Sequence, residues 1–181
     1  MQNIQSVVIF CGSKLGNNPL FKEHTQQLSE LLVKNNITIV YGGGSVGIMG
    51  VAANAALEQN GKVIGVIPKL LLEWEQDHKN LTHLHVTESM HDRKVLLYNL
   101  ADAVIILPGG YGTLDELFET ITWNNLKIHH KKVFILNSSG FYNHLLAHIE
   151  NMQNEGFLYN DWKDQLIVVN NPLELIEEII N

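Results

Sequence analysis

A glutamate that follows a glycine-rich bend is the residue of this chain best placed for chemistry. Glu116 closes the run Leu107-Pro108-Gly109-Gly110-Tyr111-Gly112-Thr113-Leu114-Asp115-Glu116, which leaves a short apolar stretch, Ala103 to Leu107, and enters an amphipathic one. A buried strand that ends in such a bend and opens a helix leaves several backbone N–H groups unpaired and converging on one space, where an anion is favoured. Gly109, Gly110 and Gly112 let the backbone turn and approach a ligand without Cβ atoms in the way. Pro108 stiffens the strand exit, and Thr113 is placed to cap the helix. Glu116 then falls in the first helical turn. The helix dipole favours a carboxylate there while a bound phosphate repels it, so it needs a cation or a chemical task. Thr113-x-x-Glu116 is equally a capping box, in which both side chains only satisfy orphan N–H groups.

The cations on offer are Arg93 and Lys94, in Ser89-Met90-His91-Asp92-Arg93-Lys94. They stand near the start of a helix, where a solvated basic pair fits poorly with the positive end of the dipole unless an anion is close. An arginine can grip a phosphate bidentately or brace a carboxylate such as Glu116.

Other patterns compete. Gly42-x-Gly44-x-x-Gly47 matches the dinucleotide fingerprint, but it follows the second strand and no acidic residue ends the next one, so a nicotinamide or flavin cofactor is not expected. The same glycines describe a helix start with close backbone approach, suited to packing or to a mononucleotide. Gly43-x-Ser45-x-Gly47 fits a nucleophile elbow, yet the acid and histidine of a triad have no evident positions. Nine histidines, among them His83-x-His85 and the i,i+4 pair His144 and His148, come without HExxH or a cysteine pair, and no metal site is expected. Cys11 reads as a small buried hydrophobe.

The elements that must position these groups alternate. Strands are expected at Val7 to Phe10, Ile37 to Val40, Val63 to Ile67, Leu84 to Val86, Ala103 to Leu107, Val133 to Leu136 and Leu166 to Val169. Helices are expected at Phe21 to Asn35, Val51 to Gln59, His91 to Leu100, Asp115 to Asn125, Phe141 to Gly156 and Pro172 to Ile180. Lys69 to Leu81 reads as a short helix or an active-site loop. Continuous apolar strands between helices predict an α/β fold, a Rossmann-like doubly wound parallel sheet of about seven strands flanked by helices, with ligands at the carboxyl ends of the strands.

The length of 181 residues suits one domain over residues 1–181. Apolar content of 45% and charged content of 17% are globular values. A net charge of −7 and a pI near 5.7 argue against nucleic acid as a partner. One cysteine excludes an intrachain disulfide, and no apolar run nears the ~18 residues of a membrane span. With no basic, cleavable N-terminus, a cytoplasmic location is expected.

Ser89-Met90-x-x-Arg93-Lys94, Pro108-Gly109-Gly110-x-Gly112-Thr113-x-x-Glu116 and the upstream Gly42-Gly43-Gly44-Ser45-x-Gly47-x-Met49-Gly50 together resemble the LONELY GUY (LOG) family of cytokinin-activating phosphoribohydrolases, whose members are often mislabelled lysine decarboxylases. The resemblance runs from the first strand to beyond Trp123. It implies hydrolysis of the N-glycosidic bond of a nucleoside 5′-monophosphate, releasing a free base and ribose 5-phosphate. It further implies Arg93 and Glu116 as the catalytic pair, and Lys94 with Gly109, Gly110, Tyr111, Gly112 and Thr113 as nucleotide-phosphate contacts. Glu75 and Thr122 match further substrate-binding positions. The resemblance also implies a homodimer and no metal or organic cofactor. Asp115 stands where many relatives have glutamate. The alternative is a non-catalytic nucleotide-binding or carrier protein of the same fold. A lysine decarboxylase would need pyridoxal phosphate on a Schiff-base lysine, and no lysine here has such a setting.

Overall fold

The computed structural model describes residues 4–71, 78 and 80–181. In chain order the elements are β1 (Ser6–Phe10), α1 (Pro19–Lys34), β2 (Thr38–Tyr41), α2 (Gly47–Glu58), β3 (Val63–Pro68), β4 (His83–Thr87), α3 (Met90–Asn99), β5 (Ala103–Ile106), α4 (Tyr111–Asn125), β6 (Val133–Leu136), α5 (Asn143–Asn154), β7 (Leu166–Val169) and α6 (Pro172–Ile180). A 3₁₀ turn at Lys69–Leu71 follows β3. Most of the rest of the polar stretch from Lys69 to Leu81, Glu75 included, lies outside the described residues.

The strands form one seven-stranded sheet in the order β4-β3-β2-β1-β5-β6-β7, every pair parallel. From β1 the chain winds outward through β2, β3 and β4, then returns to the other side of β1 and winds outward again through β5, β6 and β7. The loops leaving β1 and β5 therefore diverge, and a crevice opens between them at the carboxyl edge.

Alternation along the strands divides the core between two faces. Val7, Ile9, Ile39, Tyr41, Ile105 and Leu107 pack under α1, α2 and α6, with Leu28, Leu32, Ala52, Ala53 and Ile176. Val8, Phe10, Val40, Val104 and Ile106 pack under α3, α4 and α5, with Leu97, Tyr98, Leu117 and Ile149. The helix α1 begins with Pro19 behind the N-cap Asn18, whose side chain accepts from the Leu20 amide at 3.0 Å. It stops at Asn35, and Asn36 takes a positive φ of 59°. The helix α2 is buried on nearly every side, which its alanines permit by adding little bulk against α1.

Candidate active site

The decisive local fact is where α4 begins. Sequence reasoning starts this helix at Asp115 behind a Thr113 cap, but it starts at Tyr111, and its N-cap is Gly110, which offers no side chain to the first turn. The capping box is therefore not formed. Thr113 lies inside the first turn and is buried, and Glu116 lies in the second turn rather than the first. At a rise of ~1.5 Å per residue Glu116 sits roughly 9 Å along the axis from the cap, and helical side chains tilt back toward the N-terminus. The first amides of α4, at Tyr111, Gly112 and Thr113, have no side-chain cap and border a cavity of about 350 Å³.

Gly12, Ser13, Gly42, Met49, Arg93 and Glu116 also line this cavity, with Cys11 at the end of β1. It occupies the crevice between the β1 and β5 loops, whose edges are held by Gly12 N–H donating to the Pro108 carbonyl (3.0 Å) and Leu107 N–H to the Phe10 carbonyl (3.0 Å). Gly109 is required by close approach, since a Cβ there would stand 2.1 Å from Thr113 Oγ1. Gly110 and Gly112 face open space.

Of the glycines after β2, Gly42 borders the cavity while Gly47 serves packing. The α2 helix also lacks a side-chain cap, but Ile48 and Met49 N–H both donate to the Gly12 carbonyl, at 3.0 and 3.3 Å, so these donors are spent on the β1 loop. Gly47 has a positive φ of 63°, and a Cβ on it would lie 2.2 Å from the Ser13 carbonyl carbon. Gly42 makes room for Arg93, whose Nη2 is 2.3 Å from where a Cβ would be. Neither Ser45 nor any histidine appears among the cavity-lining residues, so a serine triad is not assembled there.

Arg93 enters from α3, which begins at Met90 after the N-cap Ser89; the Ser89 hydroxyl accepts from the Asp92 amide at 3.1 Å. Arg93 is only 7% exposed, and its Nε donates to the Val66 carbonyl at 3.2 Å. It is not within ion-pair distance of Glu116, so a group placed between them meets both charges.

Glu116 is half-buried, with its open side on the cavity. Burial pushes its carboxyl up to about 7, against the opposing pull of Arg93 and then Lys94; Asp115 and Glu119 add to the rise. A carboxyl poised between its two states at neutral pH suits proton transfer. The Cys11 thiol beside it is driven up by burial and by the charge of Glu116, which fits the buried-hydrophobe expectation and not a nucleophile.

The remaining expected site residues divide. Gly109 shapes the loop, while Gly110, Tyr111, Gly112 and Thr113 line the cavity, with Tyr111 exposed at its mouth. Lys94 does not line it: its Nζ bonds Asp115 Oδ2 at 2.8 Å and Glu119 Oε1 at 3.2 Å. Burial lowers its pKa, and these two hydrogen bonds more than offset that, leaving it raised. Thr122 is exposed on α4, with its hydroxyl spent on the Phe118 carbonyl at 2.7 Å, and it too lies outside the cavity lining. Glu75 lies outside the described residues. Gly12, Ser13, Gly42 and Met49 were not singled out as ligand contacts by sequence reasoning; the signal for the first two was the Cys11-Gly12-Ser13 exit of the first strand, readable only once β1 is known to border β5.

The parallel sheet, with an uncapped helix start and a half-buried carboxyl facing one cavity at its switch point, defines a Rossmann-like fold. The sequence profile of the family described as "Possible lysine decarboxylase" matches residues 49–179. The chain is 42% identical over 173 residues to the cytokinin riboside 5′-monophosphate phosphoribohydrolase LOG7 of Arabidopsis thaliana, covering 96% of this chain and 80% of that protein. It is 41% identical over 165 residues to the cytokinin riboside 5′-monophosphate phosphoribohydrolase of Rhodococcoides fascians, covering 91% of this chain and 83% of that one. The fold is shared with the molybdenum cofactor binding protein of Rippkaea orientalis, at a TM-score of 0.70, 23% identity and 97% coverage of both chains. This protein belongs to the LOG family of phosphoribohydrolases. The decarboxylase description does not suit its cavity: pyridoxal chemistry needs a lysine there, and among the described lining residues there is none.

Proposed function

We propose that the protein hydrolyses the N-glycosidic bond of AMP or of N6-modified (cytokinin) adenosine 5′-monophosphates, releasing the free base and ribose 5-phosphate. The observation that carries this is the sharing of one cavity by the uncapped N-terminus of α4 and the Glu116 carboxyl. Its relatives in Arabidopsis thaliana and Rhodococcoides fascians bear the name of this activity. The 5′-phosphate is held by the amides of Tyr111, Gly112 and Thr113 and by the dipole behind them. The ribose spans the gap toward Glu116, and Arg93 closes the other side.

The bond between C1′ and the base nitrogen breaks with its electron pair leaving on the base, and positive charge grows on the ribose. Ionised Glu116 stabilises that charge and takes a proton from the water that adds to C1′, while the base gains one proton. Binding energy from the non-reacting phosphate thus positions the reacting carbon. A carrier of the same fold needs the phosphate donors but has no use for a carboxylate at the sugar.

Two of the expected contacts lie outside the cavity lining. Lys94 acts through its pairing with α4 rather than on phosphate, and Thr122 reaches substrate only if a second subunit presents it to a neighbouring cavity, as the expected homodimer would allow. Incubation with AMP, isopentenyladenosine monophosphate and the two matching nucleosides tests the proposal. Free base should appear from the nucleotides alone; release from nucleosides at the same rate would remove the phosphate grip from the mechanism.

A further inference from the structure

We infer that Tyr98 is the positioning residue for Glu116, an inference that rests on the catalytic assignment just made. Tyr98 is 2% exposed and does not line the cavity, so it acts on substrate only through another group. Its hydroxyl is 3.1 Å from the Glu116 carbonyl oxygen, 2.9 Å from Thr120 Oγ1 and 3.4 Å from Glu119 Oε2. Thr120 Oγ1 donates to the same Glu116 carbonyl at 2.6 Å. Each hydroxyl has one proton. With the Thr120 proton committed to Glu116, the Tyr98 proton goes to the Glu116 carbonyl, to a Thr120 lone pair or to Glu119. All three lie on the single turn of α4 that starts at Glu116.

The ring behind that hydroxyl is itself fixed. Phe10 meets it edge-on with centroids 5.8 Å apart, and Trp123 and His129 stand at 5.0 and 5.3 Å. Tyr98 belongs to α3, the helix that delivers Arg93, and it bonds to α4, the helix that delivers Glu116. Lys94, one turn earlier on the same side of α3, reaches Asp115 and Glu119 of α4 in the same way. The spacing between guanidinium and carboxylate is set by this seam, and Tyr98 is its buried member.

The phosphate end of the site has a different anchor. The Tyr142 hydroxyl donates to the Leu107 carbonyl at 2.7 Å, and the Gly109 amide lies against its oxygen. Two buried tyrosines thus hold the two ends of the site independently, and their kinetic signatures should separate.

The test compares Tyr98→Phe, Tyr142→Phe and Trp123→Phe in the full chain, by kcat and KM for AMP and isopentenyladenosine monophosphate and by melting temperature. Because small misplacement of a reacting group is costly, Tyr98→Phe should lower kcat about tenfold while KM stays within about twofold. Tyr142→Phe should instead raise KM about fivefold with kcat within about twofold, as expected for a loss of ground-state and transition-state binding alike. Trp123→Phe, which alters the packing of the Tyr98 ring but no bond to Glu116, should leave both unchanged. A Tyr98→Phe enzyme with wild-type kcat overturns the inference, as does one that loses only KM. Should that variant fail to fold, Thr120→Val must show the same kcat loss and Thr120→Ser must restore it; wild-type kcat in Thr120→Val is equally fatal. Absence of hydrolysis by the wild-type protein would strike the catalytic assignment itself, whereas an active wild type beside an unaffected Tyr98→Phe strikes only the positioning role.

Discussion

Glu116 carries two opposed demands at the scale of the residue: burial disfavours its charge, and the proposed hydrolysis needs that charge. With its carboxyl pushed up to about 7, only part of the protein is in the working form at neutral pH. The profile of kcat/KM against pH should therefore rise along an acid limb centred near 7, and a limb centred near 4 would show that burial does not govern this group. The same shift bears on folding. A carboxyl whose folded pKa lies above its unfolded one binds more protons folded than unfolded between the two values, so stability falls as pH rises from about 4.5 toward 7. Glu116→Gln has no charge to desolvate and should be more stable than wild type by roughly 2 kcal/mol at pH 8, with the difference fading near pH 4. Thermal melts at the two pH values read this directly; a destabilised variant at pH 8 would contradict it. Arg93→Lys keeps the charge and loses the fork, and kcat/KM should drop at least about tenfold if the guanidinium engages two oxygens. That Glu116 and Arg93 would border one cavity was legible in the sequence, because residue type and motif pointed to them. Lys94 lies outside the cavity lining for a geometric reason: adjacent residues on a helix point roughly 100° apart, so when Arg93 faces the cavity its neighbour faces α4. Thr122 likewise stands on a turn of α4 well past the cavity of its own chain.

At the scale of the element, the site depends on how two helices begin. Two glycine-led helix starts read alike in sequence, yet one spends its first amides on Gly12 and the other turns them, without a side-chain cap, to the cavity. Sequence patterns could not distinguish them, because the Gly12 carbonyl comes from a distant loop. Thr113-x-x-Glu116 satisfies a local capping rule, whereas the strand exit at Pro108 and the fit of Gly109 against Thr113 set an earlier start for α4. These glycines separate by substitution. Gly47→Ala puts a Cβ into the Ser13 backbone at a positive φ and should cost at least about 2 kcal/mol in a denaturant titration. Gly112→Ala meets no atom within 4 Å and should fold as well as wild type, but its methyl would stand beside the proposed phosphate position and should raise KM several-fold. Equal stability and equal KM in Gly112→Ala would take the ligand away from the α4 start.

Seen as a whole molecule, the sheet explains why residues from α2, α3, α4 and the β1 loop meet. Seven apolar runs alternating with helices were enough to expect a parallel doubly wound sheet, since such strands are buried on both faces. The strand order was not legible, and with it went Gly12 and Ser13, which reach the site only because β1 lies beside β5. Among the described residues no helix is long and apolar enough to cross a membrane. A mass measurement in solution tests the expected homodimer, and a monomer with full activity would leave Thr122 without a route to substrate. The most direct measurement is AMP binding by calorimetry together with AMP hydrolysis, both on Glu116→Gln. The amide should bind AMP within about threefold of wild type and hydrolyse it at least about a hundredfold more slowly. Hydrolysis at the wild-type rate, or binding lost along with turnover, would contradict a carboxylate that acts on the sugar while the α4 amides hold the phosphate.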